Sequence, residues 1–200
     1  QAPSVDVPGL ARQLMMSKNY MPNPCFKKQT NKNVPDFYRP YFCLSVDPFW
    51  GQKGKSDWYM DDTVLWNRHP SLRMFKRPYL EGGYKTRGLT GVFYPPASKQ
   101  TVKMTFSVYA RSETPNASFS VRLGSPKENV KSGIIRVLTA EWQRYHLTFD
   151  LPPGRGANLG GRTIAINPSE GAVIWINGLQ MEAGEQPTEF QDDSVLVKKK

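Results

Sequence analysis

Apolar and polar residues alternate along the second half of the chain, which predicts β-strands. Within residues 101–111 every second side chain is apolar, and the positions between them are mostly polar or charged: Val102, Met104, Phe106, Val108 and Ala110 form the apolar set. A period of two places one set on one face of a strand and the other set on the opposite face. The same alternation recurs at 118–123, 133–138, 144–149, 164–166 and 173–175. The pattern therefore predicts a series of short strands that each bury one face.

Turn signals separate these runs. Segments rich in Pro, Gly, Asn and Ser lie at 113–116, 124–126, 152–154 and 167–171. No helical period continues beyond a turn or two. Short strands at this spacing are typical of two packed antiparallel sheets. The predicted fold class is all-β, an antiparallel β-sandwich.

The first half gives a weaker signal, and it sets the expected domain limits. Residues 21–97 are rich in Pro, Gly, Lys and aromatic side chains, so we expect long loops with a few short strands, one of them at 71–75. Residues 1–17 are interpreted as a lead-in or linker. Residues 18–191 are expected to form one β-sandwich, and 192–200 a linker or the start of a following domain. A chain of 200 residues is the right size for such a domain.

Charge narrows the classes of partner. The formal net charge is +10, and residues 1–90 carry 14 Lys and Arg against 7 Asp and Glu. A basic surface attracts anionic partners such as nucleic acid, acidic polysaccharide or an anionic membrane. Solubility without any partner is the alternative explanation. No run of about 18 apolar residues is present, so no membrane-spanning helix is predicted.

The sequence contains two cysteines, which could form a disulfide or remain as free thiols. Cys25 and Cys43 enclose 17 residues. A disulfide between them would stabilise the fold by about 3 kcal/mol in the chain-entropy model. Two buried thiols are the alternative.

Several short motifs, in their order along the chain, resemble a known family. They lie at 20–26, 34–38, 69–74, 105–111, 139–145 and 174–190, and the last, which contains Gln180-Met181-Glu182, is the strongest. Together they resemble carbohydrate-binding-module-like jelly rolls with a galactose-binding-like fold, over about residues 18–190. The resemblance implies an accessory part of a secreted glycoside hydrolase or a related large protein. Similar jelly rolls occur in phage tail proteins.

Two departures from the family pattern bear on a cofactor. The family often has a glutamate that helps to hold a structural calcium where this chain has Lys27, and an aspartate where it has Asn177. Glu182 keeps one ligand of the kind calcium uses. Calcium needs about 6–8 oxygen ligands, and the sequence does not show which loops would supply them. The resemblance therefore supports a structural calcium only weakly.

Residues 49–87 best match the chemistry of sugar recognition. The C–H face of a pyranose packs on aromatic rings, and planar polar side chains hold its hydroxyls. This stretch interleaves aromatic with charged residues, and its Gly residues allow exposed loops. The predicted carbohydrate-binding residues are Trp50, Trp58, Tyr59, Trp66, Arg68, Tyr84 and Arg87. The alternative is that these aromatic side chains cap the ends of the sandwich. Trp142 and Trp175 lie in or beside alternating strands, where a core or rim position is expected.

Catalysis and nucleic-acid binding find no support in the motifs. A glycosidase needs two carboxylates about 5–9.5 Å apart, whereas Asp61 and Asp62 are neighbours whose side chains point apart on an extended segment. No nucleophile elbow, phosphate loop or zinc-binding His pair occurs. The basic residues are spread among loops rather than organised by a helix or a ribonucleoprotein motif, which argues against nucleic acid. Acidic polysaccharide fits both the charge and the fold.

The sequence hypothesis is therefore a non-catalytic carbohydrate-binding module. It would tether a larger secreted or cell-surface protein to a polysaccharide, and an acidic polysaccharide is one candidate. One alternative is a structural accessory domain that packs against neighbouring domains and binds no glycan. Another is an attachment domain of a phage or surface fibre. The chain begins at Gln1 and ends in a strand-like segment at 194–197, so we expect it to come from a longer protein.

Overall fold

A computed structural model describes residues 19–30, 34–40, 49–78, 88–124, 132–137, 139–153 and 162–192. These residues form the strands β1 (Tyr38–Pro40), β2 (Trp58–Trp66), β3 (His69–Phe75), β4 (Leu89–Phe93), β5 (Val102–Arg111), β6 (Ser118–Leu123), β7 (Ser132–Arg136), β8 (Gln143–Leu151), β9 (Arg162–Pro168) and β10 (Val173–Ala183). The expected lead-in at 1–17 and most of the final segment lie outside the described residues.

The strands pair into two antiparallel sheets. Sheet A has the order β1-β4-β9-β6-β7, and sheet B has the order β2-β3-β10-β5-β8. Every pairing within the described chain is antiparallel. The predicted all-β antiparallel sandwich is confirmed. In the part of the chain that the structure describes, no helix has the length and apolar character needed to cross a membrane.

The core lies between the sheets and is built by the alternation seen in the sequence. On β5 the side chains of Met104, Phe106 and Val108 point inward and are fully or almost fully buried. Inward residues of sheet A meet them, including Phe93, Phe119, Val121, Ile164 and Ile166. Each large apolar side chain removed from water stabilises the fold by about 1.5–3 kcal/mol relative to leaving it exposed. The two inner faces therefore supply the main driving force for folding.

The strands of the first half differ from their weak prediction. β3 was expected at 71–75 and begins at His69. β2 and β4 had no alternation by which to recognise them. In β2 the pairing with β3 shifts between Asp61 and Leu65, and such a bulge breaks a period of two.

A buried asparagine fastens both ends of the described chain to β10. The Asn19 Oδ1 atom accepts hydrogen bonds from the backbone N–H groups of Met21 (3.0 Å) and Met181 (3.1 Å). Its Nδ2 group donates to the carbonyl oxygens of Leu179 (3.1 Å) and Gln191 (3.0 Å). Asn19 has no solvent exposure, so water cannot replace these bonds. One side chain thus joins the N-terminal segment, the last strand and the segment that follows it.

We predict that Asn19→Ala strongly destabilises the fold. Truncation leaves four backbone groups without this partner, three of them in buried hydrogen bonds, and an unsatisfied buried group costs about 1–3 kcal/mol. With partial relaxation, the expected loss of unfolding free energy is about 3 kcal/mol, measured by urea denaturation. Gln52→Ala is the control, because the Gln52 side chain is exposed and its loss should change the free energy by less than about 0.5 kcal/mol. Equal stability of the two variants would contradict the role of Asn19.

Candidate functional site

The outer face of sheet B carries a row of alternating aromatic and arginine side chains. The strand register places Tyr59 of β2 opposite Arg73 of β3, and Arg73 opposite Trp175 of β10. Trp175 in turn lies opposite Arg111 of β5. The chain neighbours of these residues on β3, β10 and β5 point into the core, so the row itself points outward. We call these four residues the arginine–aromatic row.

The members of the row stack on one another. The Cζ atom of Arg73 lies 5.3 Å from the ring centroid of Tyr59 and 5.9 Å from that of Trp175. On the other side of β10, the Cζ atom of Arg111 on β5 lies 5.7 Å from the ring centroid of Trp175. Such cation–π contacts are each worth about 0.5–2 kcal/mol. Because two guanidinium groups pack against it, Trp175 is only 9% exposed. The row therefore presents guanidinium groups rather than an open indole face.

Part of the hydrogen-bonding capacity of these arginines is unused. Arg111 donates from Nη2 to Glu113 (2.8 Å), while its buried Nε has no hydrogen-bond partner in the structure. Arg73 makes no ion pair with any acidic side chain in the described ranges. A guanidinium group has five N–H donors in a planar fork that matches carboxylate, sulfate and phosphate oxygens. The row is therefore suited to an anionic ligand.

Asp61 holds the tryptophan of the row in place. Its Oδ2 atom accepts a hydrogen bond from Trp175 Nε1 (3.0 Å), and its Oδ1 atom accepts from Thr63 Oγ1 (2.6 Å) and Lys53 Nζ (3.2 Å). Burial alone would raise the pKa of the Asp61 carboxyl, but hydrogen bonds from Thr63, Trp175 and Lys53 outweigh it and lower the pKa to about 2. Asp61 is therefore ionised at neutral pH. It cannot serve as the proton donor of a glycosidase, which needs a raised pKa.

The β2–β3 hairpin folds across the same face. Its two-residue turn, Asn67-Arg68, has positive φ at both positions (47° and 66°), which is the geometry of a type I′ turn. The Trp66 ring lies over Gly178 of β10, where a Cβ atom would come within 2.9 Å of it. It also contacts Tyr109 of β5, with ring centroids 4.6 Å apart. The glycine therefore makes room for the hairpin tip.

The segment after β10 covers the remainder of this face. Thr105 donates to the carbonyl of Gly184 (2.9 Å), and the backbone N–H of Gln191 donates to Gln180 Oε1 (2.7 Å). Phe190 packs against Trp66, with ring centroids 5.2 Å apart. Thr105 and Gln180 consequently have no solvent exposure although they point outward. Among the residues that the structure describes, this segment leaves open the end of the face that carries the arginine–aromatic row.

The predicted carbohydrate-binding residues occupy different positions. Tyr59 belongs to the row, and Trp66 and exposed Arg68 form the adjoining hairpin tip. Trp50 is 36% exposed on the loop before β2, with its ring centroid 5.8 Å from that of Trp58. Trp58 itself is completely buried in the core, which corrects its assignment to a binding surface. Tyr84 and Arg87 lie outside the described residues.

Three members of the row were not on the sequence-derived set of binding residues. They are Arg73, Arg111 and Trp175. The signal for them is that each occupies the outward position of an alternating strand. Their alignment depends on the register between strands that are distant in sequence, which the pattern of one strand does not contain.

The surroundings of Glu182 do not fit the calcium ion that the family resemblance implied. Glu182 Oε1 accepts hydrogen bonds from the backbone N–H (3.1 Å) and Oγ1 (2.7 Å) of Thr188, and Gln180 donates to its other oxygen. Lys27 forms an ion pair with Asp192. Within the described ranges, no three His, Cys, Asp or Glu side chains are grouped so that they could hold a metal. Protein donors thus satisfy the carboxylate of Glu182 without a cation.

Cys25 is buried, and its thiol has low reactivity. Burial, together with the nearby Asp192 carboxylate, raises the pKa of the Cys25 thiol to about 12. A neutral thiol is a poor nucleophile. Cys43 lies outside the described residues, so the Cys25–Cys43 disulfide stays a prediction.

We predict that Asp61 makes stability depend on pH in acid. Its pKa of about 2 in the folded state lies below its ordinary value of 3.8. Ionised Asp61 therefore stabilises the fold above about pH 4, and this contribution, about 2 kcal/mol, disappears as the pH falls towards 2. Asp61→Asn should remove that part of the pH dependence, measured by urea denaturation from pH 6 to 2. Asp62→Asn, which changes a largely exposed carboxylate, should keep most of it, and identical behaviour of the two variants would refute the assignment.

Comparison with known proteins shows the fold alone. No protein-family model and no curated protein matches the sequence. The structure is similar to the tailspike protein 4 enzymatically active domain of bacteriophage CBA120 (TM-score 0.55, 12% identity, 84% of this chain and 22% of the tailspike chain). It is similar to the arabinose-bound MgGH51 α-L-arabinofuranosidase (TM-score 0.53, 16% identity, 83% of this chain and 26% of that chain). It is also similar to TmCBM61 in complex with β-1,4-galactotriose (TM-score 0.50, 13% identity, 84% of this chain and 100% of that chain).

The extent of these matches differs. The chain spans about a quarter of the arabinofuranosidase and of the tailspike chain. It spans the whole of the isolated carbohydrate-binding module. The protein thus shares an antiparallel β-sandwich fold of the jelly-roll type with these structures.

Proposed function

We propose that this protein is a non-catalytic carbohydrate-binding module that recognises an acidic polysaccharide on the outer face of sheet B. The observation that carries the proposal is the arginine–aromatic row, which lies at the open end of that face. Carboxylate or sulfate groups of the polysaccharide would accept hydrogen bonds from Arg73 and Arg111. Tyr59 and the hairpin tip with Trp66 and Arg68 would contact the sugar rings.

The electrostatics of the row favour an acidic over a neutral sugar. Neutral sugars are recognised chiefly by packing on open aromatic faces, and Trp175 offers little open face. Charge-assisted hydrogen bonds to a guanidinium are roughly twice as strong as bonds between neutral groups. The net charge of +10 adds long-range attraction to an anionic chain.

The biological role would be tethering. Binding through one module raises the effective concentration of polysaccharide near any domain linked to it. Such a role places the protein outside the cell or on its surface, as part of a longer chain. The fold likeness to a segment of an arabinofuranosidase is compatible with this role.

A second candidate function rests on exposed apolar side chains. Phe49 and Trp50 are 38% and 36% exposed at one loop, and Ile134 on edge strand β7 is 68% exposed. Exposed apolar patches often mark contacts between proteins or domains. These residues would support a structural accessory domain that packs against neighbouring domains, or an attachment domain of a phage or surface fibre.

We predict that removing the fork-shaped donors abolishes most binding to acidic polysaccharide. Arg73→Gln and Arg111→Gln should each weaken binding of polygalacturonate or a sulfated galactan by roughly tenfold, since hydrogen bonds to charged groups contribute about 1.5–3 kcal/mol. Arg73→Lys should also weaken binding, because lysine keeps the charge but loses the planar fork. Affinity would be measured by isothermal titration calorimetry at low and high salt, and wild-type binding should weaken as salt screens the charges.

The control is Arg136→Gln on the exposed edge of sheet A, which should leave affinity unchanged. Circular dichroism would check that every variant is folded. Failure of all acidic and neutral polysaccharides to bind, together with concentration-dependent association of the protein, would favour the structural accessory domain. Equal binding of neutral and acidic chains would contradict the acidic specificity.

A further inference from the structure

A pocket with a cavity volume of about 60 Å³, open to solvent, lies at the opposite end of the sandwich from the arginine–aromatic row. The row lies where β3 and β5 end and β10 begins. The pocket lies where β5 begins and β8 and β10 end. Its walls are mostly apolar and include Pro95, Val102, Met104 and Leu151. The two sites therefore have different positions and different chemistry.

Arg162 lines this pocket and is itself buried. Only 7% of the residue is exposed, although arginine is rarely buried without an acidic partner. Its Nη1 group donates to the carbonyl oxygen of Pro152 (2.8 Å). Within the described ranges it forms no ion pair with a carboxylate. A buried guanidinium with one hydrogen bond keeps a full positive charge and spare donors.

Tyr20 also lines this pocket. Its backbone is fixed on both sides, because its N–H donates to Met181 O (2.8 Å) and its carbonyl accepts from Tyr94 N (2.9 Å). Burial, with the Glu182 carboxylate nearby, raises the pKa of the Tyr20 phenol. The hydroxyl therefore keeps its proton at neutral pH and is available as a hydrogen-bond donor.

We propose that this pocket binds a small apolar carboxylate, with its anionic end at Arg162 and Tyr20 and its apolar body against Val102, Met104 and Leu151. The guanidinium fork matches two carboxylate oxygens, and pairing would neutralise a buried charge that is otherwise costly. Apolar walls with a few convergent polar groups are the usual composition of a small-molecule site. Those walls suit a hydrocarbon body rather than a ring of hydroxyl groups.

The test uses 3-phenylpropionate and hexanoate, with 3-phenyl-1-propanol and 1-hexanol as uncharged probes of matched shape. The protein would carry ¹³C-methyl methionine, so that each methyl group reports its own surroundings in a two-dimensional NMR spectrum. The Met104 signal should shift with either carboxylate, while the signal of Met74, on β3 in the core, stays in place. The alcohols should bind at least about tenfold more weakly, because they lack the charge that pairs with Arg162.

Two variants locate the interaction. Arg162→Gln should weaken carboxylate binding by about tenfold or more, and Tyr20→Phe, which removes only the hydroxyl, by several-fold. If Arg162→Gln does not fold, Tyr20→Phe and the comparison of acids with alcohols decide. An unmoved Met104 signal at saturating probe, equal affinity for acids and alcohols, or unchanged affinity in folded Arg162→Gln would each overturn the proposal. In those cases Arg162 serves only to join the end of β8 to the start of β9.

Discussion

The amide side chain of Asn19 is the contact on which the rest of the arrangement depends. Its four hydrogen bonds join the N-terminal segment, β10 and the segment after β10 at one buried point. With that segment fixed, its residues cover Thr105 and Gln180 on the outer face of sheet B. Within the described part of the chain, this segment leaves uncovered the end of the face around Trp175. A single buried polar group thus determines both how the sandwich closes and which part of its surface is accessible.

The open surface and the covered surface also differ in how their polar groups are satisfied. Beneath the covering segment, outward polar side chains such as Glu182 are engaged by protein donors. At the open end, Asp61 is satisfied by its neighbours, whereas Arg73 and Arg111 keep spare donors. Buried or half-buried donors without partners are costly, and proteins usually retain them where a ligand or solvent completes them. Fold alone does not fix function. The spare donors of Arg73 and Arg111 are therefore the reason to place a binding site at the row.

The sequence predicted the second half well because one physical rule governs it. Strands β5, β6, β8 and β9 have one face in the core, and alternation reports that directly. In β2, the bulge after Asp61 and the crossing of the hairpin tip break the period. The row could not be derived for another reason. Tyr59 and Arg111 belong to one row only because β3 and β10 lie between their strands in the right register, and register between distant strands is a tertiary property. Trp58 was assigned to the surface because sequence alone does not separate a buried aromatic side chain from an exposed one.

The central position of β10 has a consequence for how the protein is made. β10 lies between β3 and β5 in sheet B, yet among the described strands it is synthesised last. Until it arrives, the two halves of the sheet have no strand to join them, and their unpaired edges and apolar inner faces are exposed. Leu179, a hydrogen-bond partner of Asn19, is synthesised 160 residues after it. Such non-local pairing folds slowly, so the nascent domain is aggregation-prone until β10 has been synthesised, and a chaperone would shield it during that time.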